Sequence, residues 1–190
     1  MSAAPASSLA VFAFGKLPAH GDFVARGLGA AEREAWDGWA SAGLEAARRD
    51  LGDGFEACHD AAPPWRFALA PGPLGDRWQA GALTPSIDRS GRRFIVVAGA
   101  RADAGTLPAD GAGGRVAEAM EAEIYRVFET GGDIDALVAG AQAAVAGIVP
   151  DGPGAAAGRF WTVEPPREMG AEPPSADLLS RALATGGPHG

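Results

Sequence analysis

The chain has 190 residues, 47% of them hydrophobic, and a formal net charge of −8 with a pI near 4.8. That length fits one domain able to bury roughly 70% of its unfolded surface, and the acidity argues against nucleic acid and anionic membrane as partners. Cys58, the one cysteine, excludes an internal disulfide and, with no CxxC pair, argues against structural zinc.

Residues 1–8 are small and polar and read as a disordered lead-in to a single domain over residues 9–187. They carry no basic n-region followed by an apolar stretch, and no window approaches the ~18 apolar residues of a membrane span, so the expectation is a soluble cytoplasmic protein. Residues 9–14 (LAVFAF) form an apolar run that Gly15 ends, as in a buried strand. A turn over residues 15–21 follows. Residues 30–51 are the clearest helix, with Trp36, Trp39, Leu44, Ala47 and Leu51 on one face. Glu32 stands in its first turn and Arg48 and Arg49 in its last, as the macrodipole favours. A short helical stretch over 55–60 is stopped by Pro63 and Pro64.

Residues 65–70 (WRFALA) alternate, putting Trp65, Phe67 and Leu69 on one face of a strand. Residues 78–83 read as a strand closed by Pro85, and 88–91 as a tight turn. Residues 94–100 are continuously apolar and β-branched, as in a central strand. These three runs, joined by short loops, predict an antiparallel meander. Residues 113–132 form a second amphipathic helix. Asp133 caps a third, with Ile134, Leu137, Ala141 and Val145 inward. Residues 160–163 give one more strand, and Ser175 caps a last helix running to Leu183. Helices this numerous cannot all cover one face of a five-stranded sheet. The expected fold is therefore α/β: a single-domain three-layer α/β/α sandwich with a mixed, largely antiparallel central sheet.

The chemistry gathers in two turns. The first, GKLPAHGD at 15–22, holds the only lysine of the chain, Lys16, with His20 and Asp22. It fails as a phosphate loop: Leu17 stands where the Mg²⁺-binding hydroxyl belongs and Pro18 follows. The plain reading is structural, with Gly15 and Gly21 supplying unusual dihedrals, Pro18 a corner, and Asp22 accepting backbone N–H bonds or pairing with an arginine such as Arg92. The second, SIDRSGRR at 86–93, reads as a turn with a surface ion pair at Asp88, worth only ~0–1 kcal/mol. His20, Asp22, Ser86 and Asp88 could also make a metal- or phosphate-dependent hydrolase site, although no G-x-S-x-G elbow is present. Trp36, Trp39 and Trp65 read as core.

Three ordered segments resemble one family. FGKLPAHGDFVARGL, WDGWASAGLEAARRDLGDGFEACHDAAPPWRFALAPG and GALTPSIDRSGRRF are similar to the TagF (ImpM) family of type VI secretion accessory proteins, over residues 12–94. Gly15, Lys16, Leu17, Pro18, Gly21, Asp22 and Phe23 match its first element. Trp36, Asp37 and Trp39 match the second; Trp65, Arg66 and Phe67 the third; Pro85, Ser86, Asp88, Gly91 and Arg92 the fourth. His20 and Arg93 depart from it. The resemblance implies an α/β/α sandwich and a cytoplasmic post-translational repressor, with no cofactor and no catalysis, that binds a forkhead-associated scaffold protein. On this reading Lys16, His20, Asp22, Arg26, Ser86, Asp88, Arg89 and Arg92 form or support the partner surface. Gly15, Pro18, Gly21, Trp36, Trp39, Trp65, Phe67 and Gly91 are the structural frame. A third reading is a structural subunit of the secretion apparatus.

Overall fold

A computed structural model describes residues 9–154, 157–170 and 174–187. The expected disorder of residues 1–8 lies outside them. Strands β1 (Leu9–Gly15), β2 (Val24–Arg26), β3 (Trp65–Leu69), β4 (Gln79–Ile87), β5 (Arg93–Ala102), β6 (Arg159–Thr162) and β7 (Arg167–Gly170) form one seven-stranded sheet in the order β2-β1-β5-β4-β3-β6-β7. Helices α1 (Ala30–Leu51), α2 (Phe55–Ala61), α3 (Ala112–Thr130), α4 (Ile134–Val145) and α5 (Ala176–Ala184) flank it.

Every ladder is antiparallel, so the expectation of a mixed sheet gives way to a wholly antiparallel one. The physical reason is that each connection returns the chain beside an oppositely running neighbour. The meander β3-β4-β5 is as expected.

The pleat sorts side chains onto two cores. Phe12, Phe14, Phe67, Leu83, Ile95, Val97 and Phe160 face α1, α2 and α5, meeting Trp36, Trp39, Leu44, Phe55 and Leu179. Val11, Ala13, Ala80, Ala82, Val96 and Ala98 face the other way, toward Val116, Met120, Ile124 and Leu137 of α3 and α4. One face is thus aromatic and the other largely alanine. Gly81 and Gly99 fall on the aromatic face: an added Cβ would come within 2.8 Å of the Phe67 ring at the first and 2.6 Å of the Phe12 ring at the second. Trp36 sits at the centre, its ring 5.6 Å from Phe67 and 5.9 Å from Phe12. Each such side chain contributes roughly 1.5–3 kcal/mol by leaving water.

Three local expectations change. Strand β4 does not stop at Pro85. It runs through to Ile87, because β3 begins at Trp65, opposite Leu83, and Pro85 lies beyond it, where β4 has a neighbour on one side only. Strands β2 and β7, of three and four residues, are too short to show a period. Ser175 does sit at the N-cap of α5, but its side chain makes no cap bond; its carbonyl instead accepts the Trp39 indole N–H at 3.1 Å. Asp133 caps α4 as expected, accepting from Ala136 N at 2.9 Å.

Candidate functional site: two interlocked turns

Residues 15–22 leave the end of β1, and residues 88–92 join β4 to β5 at the same end of the sheet. Gly15 is required at its position. Its φ is +126°, and a Cβ there would fall on the Ile95 carbonyl oxygen of β5. The next residue, Lys16, donates its N–H to that same carbonyl at 3.2 Å. Leu17 is fully buried and anchors the turn in the alanine-lined core. Pro18 and Ala19 occupy the corner that His20 N closes by donating to Leu17 O at 2.9 Å. Gly21 has no positive φ and open space where a Cβ would go, so no unusual dihedral is found there. Gly91, at φ +80°, turns the second corner.

Asp88 joins the two turns. Its Oδ1 accepts the backbone N–H of Ser90 at 2.8 Å and of Arg92 at 3.0 Å. Its Oδ2 accepts Arg92 Nε at 2.7 Å and Lys16 Nζ at 3.3 Å. The carboxylate has no exposed side-chain surface, so the expected surface ion pair is a buried one. Burial alone would push this carboxyl up. The Arg92 backbone N–H, the Arg92 guanidinium, the Ser90 N–H and the Lys16 ammonium together outweigh that and hold it well below the usual carboxylate range.

Further bonds close the joint. Ser86 Oγ donates to the Lys16 carbonyl. Arg89 donates from its backbone to His20 O at 3.3 Å and from its guanidinium to Ala19 O at 2.7 Å. Arg92 Nη2 donates to Gly21 O. His20 Nε2 accepts the N–H of Ile134, the first residue of α4, at 3.3 Å. Of the residues expected at the partner surface, Ser86 and Asp88 are buried and can act only through the groups they hold. Asp22 is exposed, and the Arg92 pair expected of it belongs to Asp88. Arg26 stands apart on β2, paired with Asp135 at 2.8 Å. The four side chains suggested for a hydrolase do not converge: His20 caps a helix, Ser86 bonds a carbonyl, Asp88 is saturated and Asp22 faces solvent. Among the described residues no three His, Cys, Asp or Glu side chains gather as a metal-binding group.

A second cluster adjoins the first and was missed in the sequence. Arg93 leaves β5 toward α2, pairing with Asp60 Oδ2 at 2.7 Å and Glu56 at 3.0 Å. The Arg93 guanidinium, opposed by partial burial and helped by His59, lowers Asp60 from 3.8 to about 2. His59 lies between two acceptors, Nε2 2.6 Å from Phe94 O and Nδ1 3.0 Å from Asp60 Oδ1. An open cleft of about 700 Å³ lies where this cluster meets the 88–92 turn, lined by Lys16, Arg48, Asp53, Phe55, Glu56, Arg92, Arg93 and Phe94. The adjacency of Arg92 and Arg93 was the available signal: the turn ends at the first and β5 begins at the second, so Arg92 braces Asp88 while Arg93 pairs with α2.

Fold and site define an antiparallel α/β sandwich whose distinguishing feature is a buried carboxylate locking two turns at one sheet end. Residues 13–144 match the family described as TagF N-terminal domain, type VI secretion system-associated, and the chain belongs to the TagF family. Among solved structures, the crystal structure of PA0076 from Pseudomonas aeruginosa PAO1 is similar, with 31% identity over 91% of this chain and 78% of that one and a TM-score of 0.58. The comparison with curated proteins finds no significant match. No helix among the described residues is long and apolar enough to cross a membrane.

Proposed function

We propose that this chain is a non-enzymatic post-translational repressor of type VI secretion, acting in the cytoplasm by binding and sequestering the system's forkhead-associated scaffold protein. Family membership supports the link to secretion. The observation that carries the binding reading is the joint itself. Buried Asp88 and Ser86 fix two turns so that Pro18, Asp22, Arg89 and Arg92 stand exposed or half-exposed on one rigid edge. A pre-organised edge loses little conformational freedom on docking, which favours recognition. Nothing in this reading requires a cofactor or turnover.

The test is co-purification from the native host. Tagged protein should retain the scaffold, and its overproduction should suppress secretion. Reversing the exposed charges, Arg89→Glu with Asp22→Lys, should release both effects in a protein that stays folded, although it loses the Arg89 bond to Ala19 O. A well-folded parent that neither retains the scaffold nor lowers secretion would overturn the reading.

A further inference from the structure

We propose that His59 is a proton-dependent clasp: held as an imidazolium, it ties α2 to β5, and loss of one proton loosens α2. This goes beyond the repressor reading and does not depend on it.

The ring is wholly buried, and each nitrogen faces an acceptor. Nε2 lies 2.6 Å from the Phe94 carbonyl oxygen of β5, and Nδ1 lies 3.0 Å from Asp60 Oδ1. The carbonyl has no proton to give. Asp60 is ionised, because Arg93 above all holds its carboxyl at about 2. A neutral imidazole has one N–H. With that proton on Nε2, the Nδ1 lone pair points at the carboxylate. With it on Nδ1, the Nε2 lone pair meets the carbonyl at a separation that only a hydrogen bond tolerates. The imidazolium carries both protons and answers both acceptors.

Charge in the cluster favours the same form. Arg93 pairs with two carboxylates, Asp60 and Glu56, which leaves one negative charge over until His59 is protonated. A buried charge is tolerated where it is paired and hydrogen-bonded, as here. The other elements packed on the ring add little. From α1, Arg48 shares the Phe55 ring with His59, but it is exposed and has Asp53 beside it on the cleft. On α2 itself the remaining titratable neighbour is the Cys58 thiol. β4 and the first turn present uncharged Ser86, Ile87 and Pro18, and Gly186 packs on Cys58 from the end of α5.

Helix α2 has seven residues, too few to be stable alone. Its polar ties to β5 are the His59 bond and the Arg93 pairs. Deprotonation would set a lone pair against an oxygen at one end of the ring. The contact is therefore firmest with the proton on and weakens as pH rises through the titration, the opposite sense to a depressed carboxyl. A cavity of about 300 Å³ is lined by His59 and Asp60 on one side and by Pro18 and Ser86 on the other, so the clasp stands directly behind the two-turn joint.

The test is NMR on the ¹⁵N-labelled full chain from about pH 6 to 8.5, the range in which imidazoles change charge. The Phe55 ring, 5.7 Å away, identifies the His59 signals by NOE among the three histidines. Both His59 nitrogens should carry protons at the acid end, and one proton should leave as pH rises. Over that interval amide exchange in α2 should accelerate roughly tenfold beyond the rise seen in α3, the effect of one lost hydrogen bond. Asp60→Asn removes the carboxylate, and the new amide can donate to Nδ1. His59 should then hold a single proton, on Nε2, across the range, and α2 exchange should track α3. Asp60 is partly exposed, so this variant should fold. A single proton on the parent's His59 at about pH 6, both protons kept to 8.5, a second proton surviving in Asp60→Asn, or α2 exchange tracking α3 in the parent would each overturn the inference. None of these readouts involves the scaffold, so either proposal can fail alone.

Discussion

Arg92 reaches both turns with one side chain: its Nε lies 2.7 Å from Asp88 Oδ2, and its Nη2 donates to the Gly21 carbonyl. The residue is a strut across the joint as well as an exposed cation. Asp88 is the fixed point it braces against, because all four of that carboxylate's contacts are N–H donors.

Asp88→Asn keeps the shape of the side chain and removes its charge, leaving Lys16 and Arg92 facing each other uncompensated. The variant should melt at a lower temperature than the parent, and Asp88→Ala lower still, because it also strands the Ser90 and Arg92 N–H groups. The carboxylate is shielded from solvent, so raising salt from about 0.05 to 0.5 M should leave most of the difference in place. Thermal melts followed by circular dichroism at the two salts check this.

The two glycines of the first turn should behave differently. Gly15→Ala forces a side chain into a +126° φ and onto the Ile95 carbonyl. It should cost several kcal/mol, of order 2–4, or prevent folding. Gly21→Ala meets nothing and should stay within about 0.5 kcal/mol of the parent. Urea titration of the pair measures both.

Acid should release α2 from β5. Asp60 is lowered to about 2 by Arg93 first, with burial opposing and His59 assisting. A carboxyl depressed in the folded state contributes stability above its ordinary 3.8, and that contribution is lost as pH falls from there toward 2. Asp60→Asn should be less stable than the parent at neutral pH. It should also show a shallower fall in melting temperature across that acid window. Asp88, depressed too, will leave a residual slope.

In the aromatic core, Trp36→Ala should cost about 3–5 kcal/mol. Trp36→Phe should cost much less, because the Trp36 indole N–H is buried with no partner among the described residues, and phenylalanine removes it. Gly99→Ala should cost about 1–3 kcal/mol by overpacking against the Phe12 ring. Chemical denaturation of the three variants gives these values directly.

Much of the fold could be read from residue spacing. Helix α1 has the bounds its Trp36, Trp39 and Leu44 spacing predicts, and β5 is the doubly buried strand its apolar run predicts. Pro85 misled because a proline ends a strand only where its missing N–H is needed, and that depends on where β3 begins. The two turns could be identified by their composition. The burial of Asp88 could not, since it depends on Lys16, 72 residues away in sequence, arriving above it. Arg48 read as a helix-terminal charge, and its place in a cleft appears only once α1 is packed beside the 88–92 turn.

The family match ends at residue 144, yet β6, β7 and α5 come later in the chain. Strand β6 is the outer neighbour of β3, and Leu179 of α5 packs so closely on α1 that a methyl at Gly43 would come within 2.7 Å of it. An expression clone trimmed to the matched region would therefore present β3 as a bare rim and strip the lid from Trp39, and it should accumulate in inclusion bodies. Clones carried through Ala184 are the ones suited to biochemistry.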